Sequence, residues 1–358
     1  MKFKFFQIIS LVLILCLALP MPVYSADLQR PQAAPTINFT ILHTNDFHGN
    51  LEPSGSNPGA ARVAYKVNEV RTAVGAENVL LLDAGDMLQG TLISNILKGL
   101  PTIDYYRTIG YDAVALGNHE FDWGQQVLAK RALEAAATAS GKKSFPMLAA
   151  NIVKKVGNSC AGWDRPELND GAGNTYTIEP YTILEVGTDP NKVQVGVIGV
   201  GSIETPYITI AEATEGLCFK DPTESILHYY DEMKANGADV LVVLSHNGYT
   251  DGGYGYGFTV YGDQTLARNL NNAGKPVHLI IGGHSHTDLT SATMVGNTAV
   301  VQAHYNGRKI GRADFTYDPA TGAVSLTWSR IVIGTTDPED DTIKALVTGY
   351  VSDPDYQA

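Results

Sequence analysis

Apolar residues in this chain come in short runs, and five of those runs end in bursts of polar chemistry. Asp112 to Leu116 leads into Gly117-Asn118-His119-Glu120-Phe121-Asp122. Thr36 to Leu42 precedes Asn45-Asp46-Phe47-His48, and Asn78 to Leu82 precedes Asp83-Ala84-Gly85-Asp86. Asp239 to Leu244 precedes Ser245-His246-Asn247, and Val277 to Ile281 precedes Gly282-Gly283-His284-Ser285-His286. Runs of this length predict buried strands. Between them the spacing turns helical, as in Gly59 to Val74, where Val63, Val67, Val70 and Val74 repeat before Gly75. Thr91 to Leu97 and Thr102 to Ile109 predict short helices, and Gln125 to Ala139 a longer one. Asp221-Pro222-Thr223-Glu224 is a helix start, with a cap, Pro at the first position and Glu at the third; that helix ends at Gly237, and Gln264 to Asn271 is a further one.

Met147 to Val153 predicts a strand, and Tyr181 to Val186 with Val193 to Val200 a hairpin or neighbouring pair. From Ser291 the pattern changes to alternation and turns, which predicts an antiparallel tail over Ala299 to Gln302, Ala313 to Tyr317 and Val324 to Ile331. Strands alternating with helices, then a run of strands, give an α/β sandwich with mixed sheets. Lys154 to Thr175 is a Gly/Asn/Asp-rich surface excursion without chemistry of its own. Asp337-Pro338-Glu339-Asp340 opens a last helix whose stripe, Ile343, Leu346, Val347 and Tyr350, needs a partner surface on this domain or on something that follows.

The first 25 residues change the picture of where the protein works. Lys2 and Lys4, the apolar run Phe5 to Leu19, Pro20, Pro22 and the small Ser25 before Ala26 have the layout of a secretory signal peptide. The run is short for a membrane span of ~20 residues, and no later segment is more apolar. Removing two lysines and no acids from a net charge of −12 leaves −14. A surface this acidic argues against nucleic-acid binding, so any phosphate must be held locally. The remaining cysteines, Cys160 and Cys218, are free to pair in an exported protein, and neither sits in a CxxC metal motif.

The polar bursts offer carboxylates, an amide and imidazoles, and no sulfur. That donor mixture suits two divalent ions of the Zn, Mn, Fe or Co kind better than Ca²⁺. Asp46 and His48, like His284 and His286, are two apart, which on extended backbone turns both side chains the same way. Two ions ~3.5–4 Å apart require one carboxylate to bridge. Singly, each signal has a plainer explanation: Asp46, Asp86 or Asn118 as a turn residue or cap, His246 as a hydrogen-bonded core histidine. Five bursts at five strand ends make the shared site the better reading. His43 faces away from Asp46 by alternation and belongs to the core; His228 and His278 receive no role; His304 follows a strand and stays outside the metal shell; Glu120 braces its loop by hydrogen bonding.

His43-Thr44-Asn45-Asp46-Phe47-His48-Gly49, Gly85-Asp86-Met87-Leu88-Gln89-Gly90, Gly117-Asn118-His119-Glu120-Phe121-Asp122-Trp123-Gly124, Ser245-His246 and Gly282-Gly283-His284-Ser285-His286-Thr287 together resemble the motif set of the 5′-nucleotidase family, within the calcineurin-like metallophosphoesterases. The resemblance covers roughly residues 37–335. It implies a four-layer α/β/β/α sandwich of two mixed sheets with a dinuclear centre. It implies one ion on Asp46, His48 and His286, another on Asn118, His246 and His284, and Asp86 between them. His119 and Asp122 match the family's catalytic dyad, and Asn118 and His119 would also meet substrate. Water acidified by the cations would attack phosphorus in line, with His119, oriented by Asp122, protonating the leaving oxygen. A supporting role for His119, beside the ligand Asn118, is the alternative.

The implied protein is an exported phosphohydrolase, with residues 1–25 as signal, 36–335 as catalytic domain and 336–358 as a connecting helix towards an absent C-terminal domain. Its location would be periplasmic, extracellular or at the cell surface, with no stable membrane insertion, and its part nucleotide catabolism. Its substrate is a small phosphate ester, a 5′-nucleotide first; the alternative is a broader phosphoesterase cleaving 2′,3′-cyclic nucleotides or UDP-sugars, and the third a noncatalytic binding module. Many relatives carry their nucleobase clamp in that further domain, which leaves base recognition open. The stretch Asn247 to Asp263, with Tyr249, Tyr254, Tyr256, Phe258 and Tyr261 among its glycines, reads either as a loop stacking on substrate or as aromatics packed back on the protein. The second is preferred, because aromatic area is usually buried against the protein itself.

Overall fold

The computed structural model describes residues 35–357 except 253–256; the expected signal segment, 1–25, and Tyr254 and Tyr256 lie outside the described residues. Two six-stranded sheets organise the molecule. In the first, Ile37–Thr44, Val79–Asp83, Ala113–Ala115 and Met147–Leu148 run parallel, and the hairpin Lys309–Asp318 with Ala323–Val332 closes one edge antiparallel. In the second, Asn191–Val200, Val240–Ser245, Leu279–Gly282 and Thr298–Val301 run parallel between antiparallel edges Tyr181–Thr188 and Thr293–Val295.

The alternation of apolar residues explains the layers. Val79 and Leu81 pack with the helices Ala60–Val74, Leu100–Ile109 and Gln125–Ala136, whereas Leu80 and Leu82 face the other sheet. Likewise Val240, Val242 and Leu244 enter the inter-sheet core, and Leu241 and Val243 pack with Pro222–Ala235 and Asp263–Asn272. Strands buried on both faces have no polar side to show, which is why they read as continuous apolar runs. The result is an α/β/β/α sandwich of two mixed sheets, as expected.

Local expectations hold where a cap or a turn fixes them. Asp221 accepts a hydrogen bond from the Glu224 N–H at 3.0 Å, and Tyr181–Thr188 pairs with Asn191–Val200 as a hairpin. Four differ. Met147 to Val153 is not one strand: the chain turns at 149–151, where the Asn151 side chain bonds the backbone of Gly201 and Lys220. Ile152–Lys154 then pairs with Leu217–Phe219 instead. The predicted β tail divides between sheets, because Thr298–Val301 buries alternate residues on both faces and joins Leu279–Gly282 in parallel. Nor is 154–175 only surface: Leu168 is buried in the helical layer, joined just past the excursion by Tyr176, whose hydroxyl bonds both backbone groups of Met147. The last helix begins at Asp341, capped by Asp340 rather than Asp337.

That helix, Asp341–Val351, finds its partner surface on this body. Ile343 and Val347 are buried beside Ala60–Val74, the Asp340 N–H donates to Ala61, and Tyr350 donates to Asp104. No described helix is long and apolar enough to cross a membrane. Cys160 and Cys218 form a disulfide, their Cα atoms 5.6 Å apart. It ties the 154–175 excursion to Leu217–Phe219 and closes a sequence separation of 58 residues. Loop entropy alone sets its contribution at up to about 4 kcal/mol. A Cys160→Ser, Cys218→Ser protein should therefore melt several degrees lower by calorimetry, with unchanged far-ultraviolet circular dichroism; an unchanged Tm would show the bridge to be energetically idle.

Candidate active site

All five polar bursts sit at the carboxyl ends of parallel strands, and the two sheets bring those ends to one rim. This is where open α/β sheets bind ligands. Asp46 and His48 follow Ile37–Thr44, Asp86 follows Val79–Asp83, and Asn118 with His119 follows Ala113–Ala115. His246 follows Val240–Ser245 across the sandwich, and His284 and His286 follow Leu279–Gly282. Three groups of coordinating atoms result, each within 4.8 Å: Asp46, His48 and His286; Asp86, His246 and His284; and His48, Asp86 and His119. The first joins the three residues expected around one ion, and the second joins His246 and His284, expected around the other, with Asp86. His304 falls outside all three, its backbone carbonyl instead accepting from the Asn45 amide.

The backbone reason for this convergence differs from the expected one. Asp46, His48, Asp86, His284 and His286 all have left-handed backbone, with φ of 51°, 51°, 57°, 69° and 52°. The paired residues share a direction because the chain curls around the site, not because it is extended. Each such conformation costs ~1–3 kcal/mol and persists only where its surroundings impose it. The impositions are visible. Asp46 accepts the His284 N–H at 2.9 Å and Asp86 accepts the His119 N–H at 2.9 Å. Glu120, buried, accepts four backbone N–H groups, from Asp86, Met87, Leu88 and Gly117, bracing its loop as expected. Two glycines leave room: a Cβ on Gly117 would lie 2.2 Å from Asp86 Oδ1, and one on Gly283 would lie 2.8 Å from His246 Nδ1.

Hydrogen bonds to the outer nitrogens fix which ring atoms face the centre. His48 Nδ1 donates to the Gln89 carbonyl at 2.8 Å, and His246 Nδ1 to the Ala84 carbonyl at 2.7 Å. Each neutral ring then presents Nε2 inward as a bare lone pair. His48 Nε2 and His286 Nε2 stand 3.2 Å apart, and His286 Nε2 lies 3.3 Å from Asp46 Oδ1. His246 Nε2 is 2.9 Å from Asp86 Oδ2 and is buried without a hydrogen-bond partner. Asn118 Oδ1 is likewise buried without a hydrogen-bond partner. Orphaned lone pairs on nitrogen and oxygen around two buried carboxylates are a donor set that divalent cations fit.

Charge agrees with geometry. Burial alone would raise the Asp86 pKa, yet His246, then His48 and His119, hold its carboxyl well below the usual range. Burial favours neutral His246, and the charges of Asp86 and Asp46 overcome it and raise its pKa. Further out the balance reverses. Burial lifts Asp83 to about 6, and it lifts Glu120 to about 7, with the Asp86 charge adding to the effect. His119 Nδ1 donates to Asp122 Oδ2 at 2.6 Å, and that bond, against burial and with help from Asp86, raises the His119 pKa to about 9. The two residues expected to form a dyad are thus hydrogen-bonded to each other.

One residue went unseen. Glu204 Oε1 accepts from His284 Nε2 at 2.6 Å, leaving His284 Nδ1 as the nitrogen available to the centre. Glu204 follows the strand Asn191–Val200, so the strand-then-burst rule that found the others also reaches it; a single Glu among Ser and Thr did not stand out. The other histidines are structural, as expected: Trp328 Nε1 donates to the buried His43, the Leu241 N–H donates to His278 Nδ1, and His228 stacks on Trp163. Of the aromatic loop, Tyr249 packs back on the protein with its hydroxyl 2.6 Å from Thr293, while Tyr261 is exposed.

The sequence profile of the calcineurin-like phosphoesterases matches residues 39–288. The chain belongs to that family. Calcineurin-like phosphoesterases use a dinuclear metal centre, and this member carries candidate His and Asp groups for one. It is 30% identical over 343 residues to the snake venom 5′-nucleotidase of Crotalus adamanteus, an alignment covering 88% of this chain and 51% of that protein. It is also 30% identical over 342 residues to human 5′-nucleotidase, covering 87% and 52%. The chain spans about half the length of these curated relatives. Among solved structures it resembles a 5′-nucleotidase precursor from Thermus thermophilus, with TM-score 0.67 and 29% identity over 88% of this chain and 58% of that one. A calcineurin-like phosphoesterase from Bacillus subtilis shares the fold, with TM-score 0.68 and 23% identity over 90% and 99%.

Gly117 offers a clean test of the site's packing. Gly117→Ala should displace the Asp86 carboxylate and weaken divalent-metal affinity roughly 10- to 100-fold, the scale on which supporting contacts act. Titration calorimetry with Mn²⁺ or Zn²⁺ reads this directly, and wild-type affinity in a folded variant would contradict the geometry.

Proposed function

We propose that this protein is an exported, metal-dependent phosphohydrolase that cleaves phosphate monoesters, with 5′-nucleotides as substrate, and that residues 36–335 carry the catalysis. The observation that carries the reading is the convergence of Asp46, His48, Asp86, His246, His284 and His286 on one rim, with Asn118 Oδ1 and His246 Nε2 buried there without hydrogen-bond partners. Asp46, His48 and His286 would hold one ion, Asn118, His246 and His284 the other, and Asp86 both. When bound, the cations supply Lewis-acid charge at phosphorus and acidify the attacking water. The chain's own residues do the rest. Asn118 and His119 orient the phosphoryl group from the loop after Ala113–Ala115. His119, held in place by its bond to Asp122, gives a proton to the leaving oxygen. Export is supported by the N-terminal pattern and by the Cys160–Cys218 bridge.

Purified protein should release phosphate from AMP faster than it cleaves UDP-glucose, 2′,3′-cyclic AMP or bis-p-nitrophenyl phosphate. Chelation should abolish the activity and added Mn²⁺, Co²⁺ or Zn²⁺ restore it. Preference for the cyclic nucleotide or the sugar nucleotide would move the assignment to a broader phosphoesterase; no metal-dependent release from any ester would refute it. His119→Ala should lower kcat about 10²- to 10⁴-fold with a small change in KM. A loss confined to KM would return His119 to a supporting role.

A further inference from the structure

We infer that Tyr207 and Phe258 form an aromatic platform beside the metal centre that takes the nucleoside or aryl part of the phosphate ester. The inference rests on the phosphohydrolase reading above and deepens it. Two segments meet at this place. The first follows Asn191–Val200 and is tied to the site twice: Glu204 Oε1 bonds His284 Nε2 at 2.6 Å, and Thr209 Oγ1 lies 3.5 Å from Asp122 Oδ1. Tyr207 lies between these ties, on the short helix Thr205–Ile208, yet its side chain is 58% exposed. Three residues of chain reach at most about 11 Å, so Tyr207 stays close to the histidine that Glu204 holds.

The second segment follows His246. Its near end is pinned where the Tyr249 N–H donates to Ser285 Oγ at 2.9 Å, and its far end where the Asp263 N–H donates to the Gly248 carbonyl at 2.8 Å. Between them Gly252 and Val260 pair through their backbones. Phe258 projects from this loop to within 5.2 Å of the Tyr207 ring, the planes inclined at 55°, and Tyr261 beside it is 44% exposed. Exposed aromatic area gathered from two loops, at the rim of a polar cluster, is costly in water and marks a place where apolar ligand surface is taken up.

The position also fits the chemistry. The leaving oxygen faces His119, which Asp122 orients, and the far oxygen of Asp122 is the one next to Thr209. The segment that carries Tyr207 therefore lies against the dyad that would meet the organic group. Stacking tolerates any π-face, so the platform would select for an aromatic group without reading its edge.

The test compares kcat/KM for AMP with that for ribose 5-phosphate, which keeps the sugar phosphate and lacks the base. Tyr207→Ala and Phe258→Ala should each lower the AMP to ribose 5-phosphate ratio roughly tenfold, through KM, on the scale of one stacked base. Tyr207→Phe, which keeps the ring, should hold the wild-type ratio. An unchanged ratio in folded Tyr207→Ala protein overturns the platform and leaves the surface to another segment or partner. If the wild type hydrolyses neither ester, the phosphohydrolase reading fails, and adenosine binding followed by ligand-observed NMR decides the platform separately. Binding weakened about tenfold by Tyr207→Ala then upholds it, and no adenosine binding by the wild type overturns it.

Discussion

Two carboxylates, Asp46 and Asp86, are buried at the rim where the sheets meet, and the surrounding structure answers to them. An unpaired buried charge costs several kcal/mol, so the fold must meet it with positive charge or donors. Protein donors do part of this: the His284 N–H and the Asn45 amide on Asp46, the His119 N–H on Asp86. The rest falls to imidazoles whose outer nitrogens are bound to carbonyls. The charge of Asp86 raises the His246 pKa, and the imidazole in turn lowers that of Asp86. A divalent ion supplies the same compensation with more charge.

The scaffold makes this arrangement affordable. Left-handed backbone at five of the seven proposed ligands is strained, but each turn follows directly on a parallel strand buried on both faces. Glu120 adds four hydrogen bonds that hold the Asp86 loop against the loop of Gly117, and glycine at 117 and 283 lets the backbones approach. Glu204 extends the support to the neighbouring strand end, linking His284 to the segment that carries Tyr207. The proposed metal site and the proposed substrate rim are thereby one connected piece of structure.

Much of this was written in the sequence, because burial on both faces forces continuous apolar runs and because function at strand ends forces polar residues to follow them. Asp46, His48, Asp86, Asn118, His119, His246, His284 and His286 were all found that way, and the structure brings them together. Periodicity failed where tertiary contacts decide. Met147 to Val153 looks like one strand, and only the distant Gly201 and Lys220 backbones, bound by Asn151, break it. Thr298–Val301 has the alternation of a tail, but which sheet it joins depends on a pairing that short-range pattern does not encode. The residues 154–175 look like solvent-facing loop until Leu168 finds the core. The DxH and HxH spacings picked out residues that do converge, but through a different backbone, since spacing is silent about φ.

The proposal that these side chains make one site for two ions, rather than a polar crevice balanced by protons, is open to a physical test. Anomalous diffraction from crystals of the protein equilibrated with Mn²⁺ or Zn²⁺ tests it most directly. The predicted result is two anomalous peaks ~3.5–4 Å apart, with Asp86 between them. Asp46, His48 and His286 should surround one peak, and Asn118, His246 and His284 the other. A single peak, or none at this rim, would contradict the account.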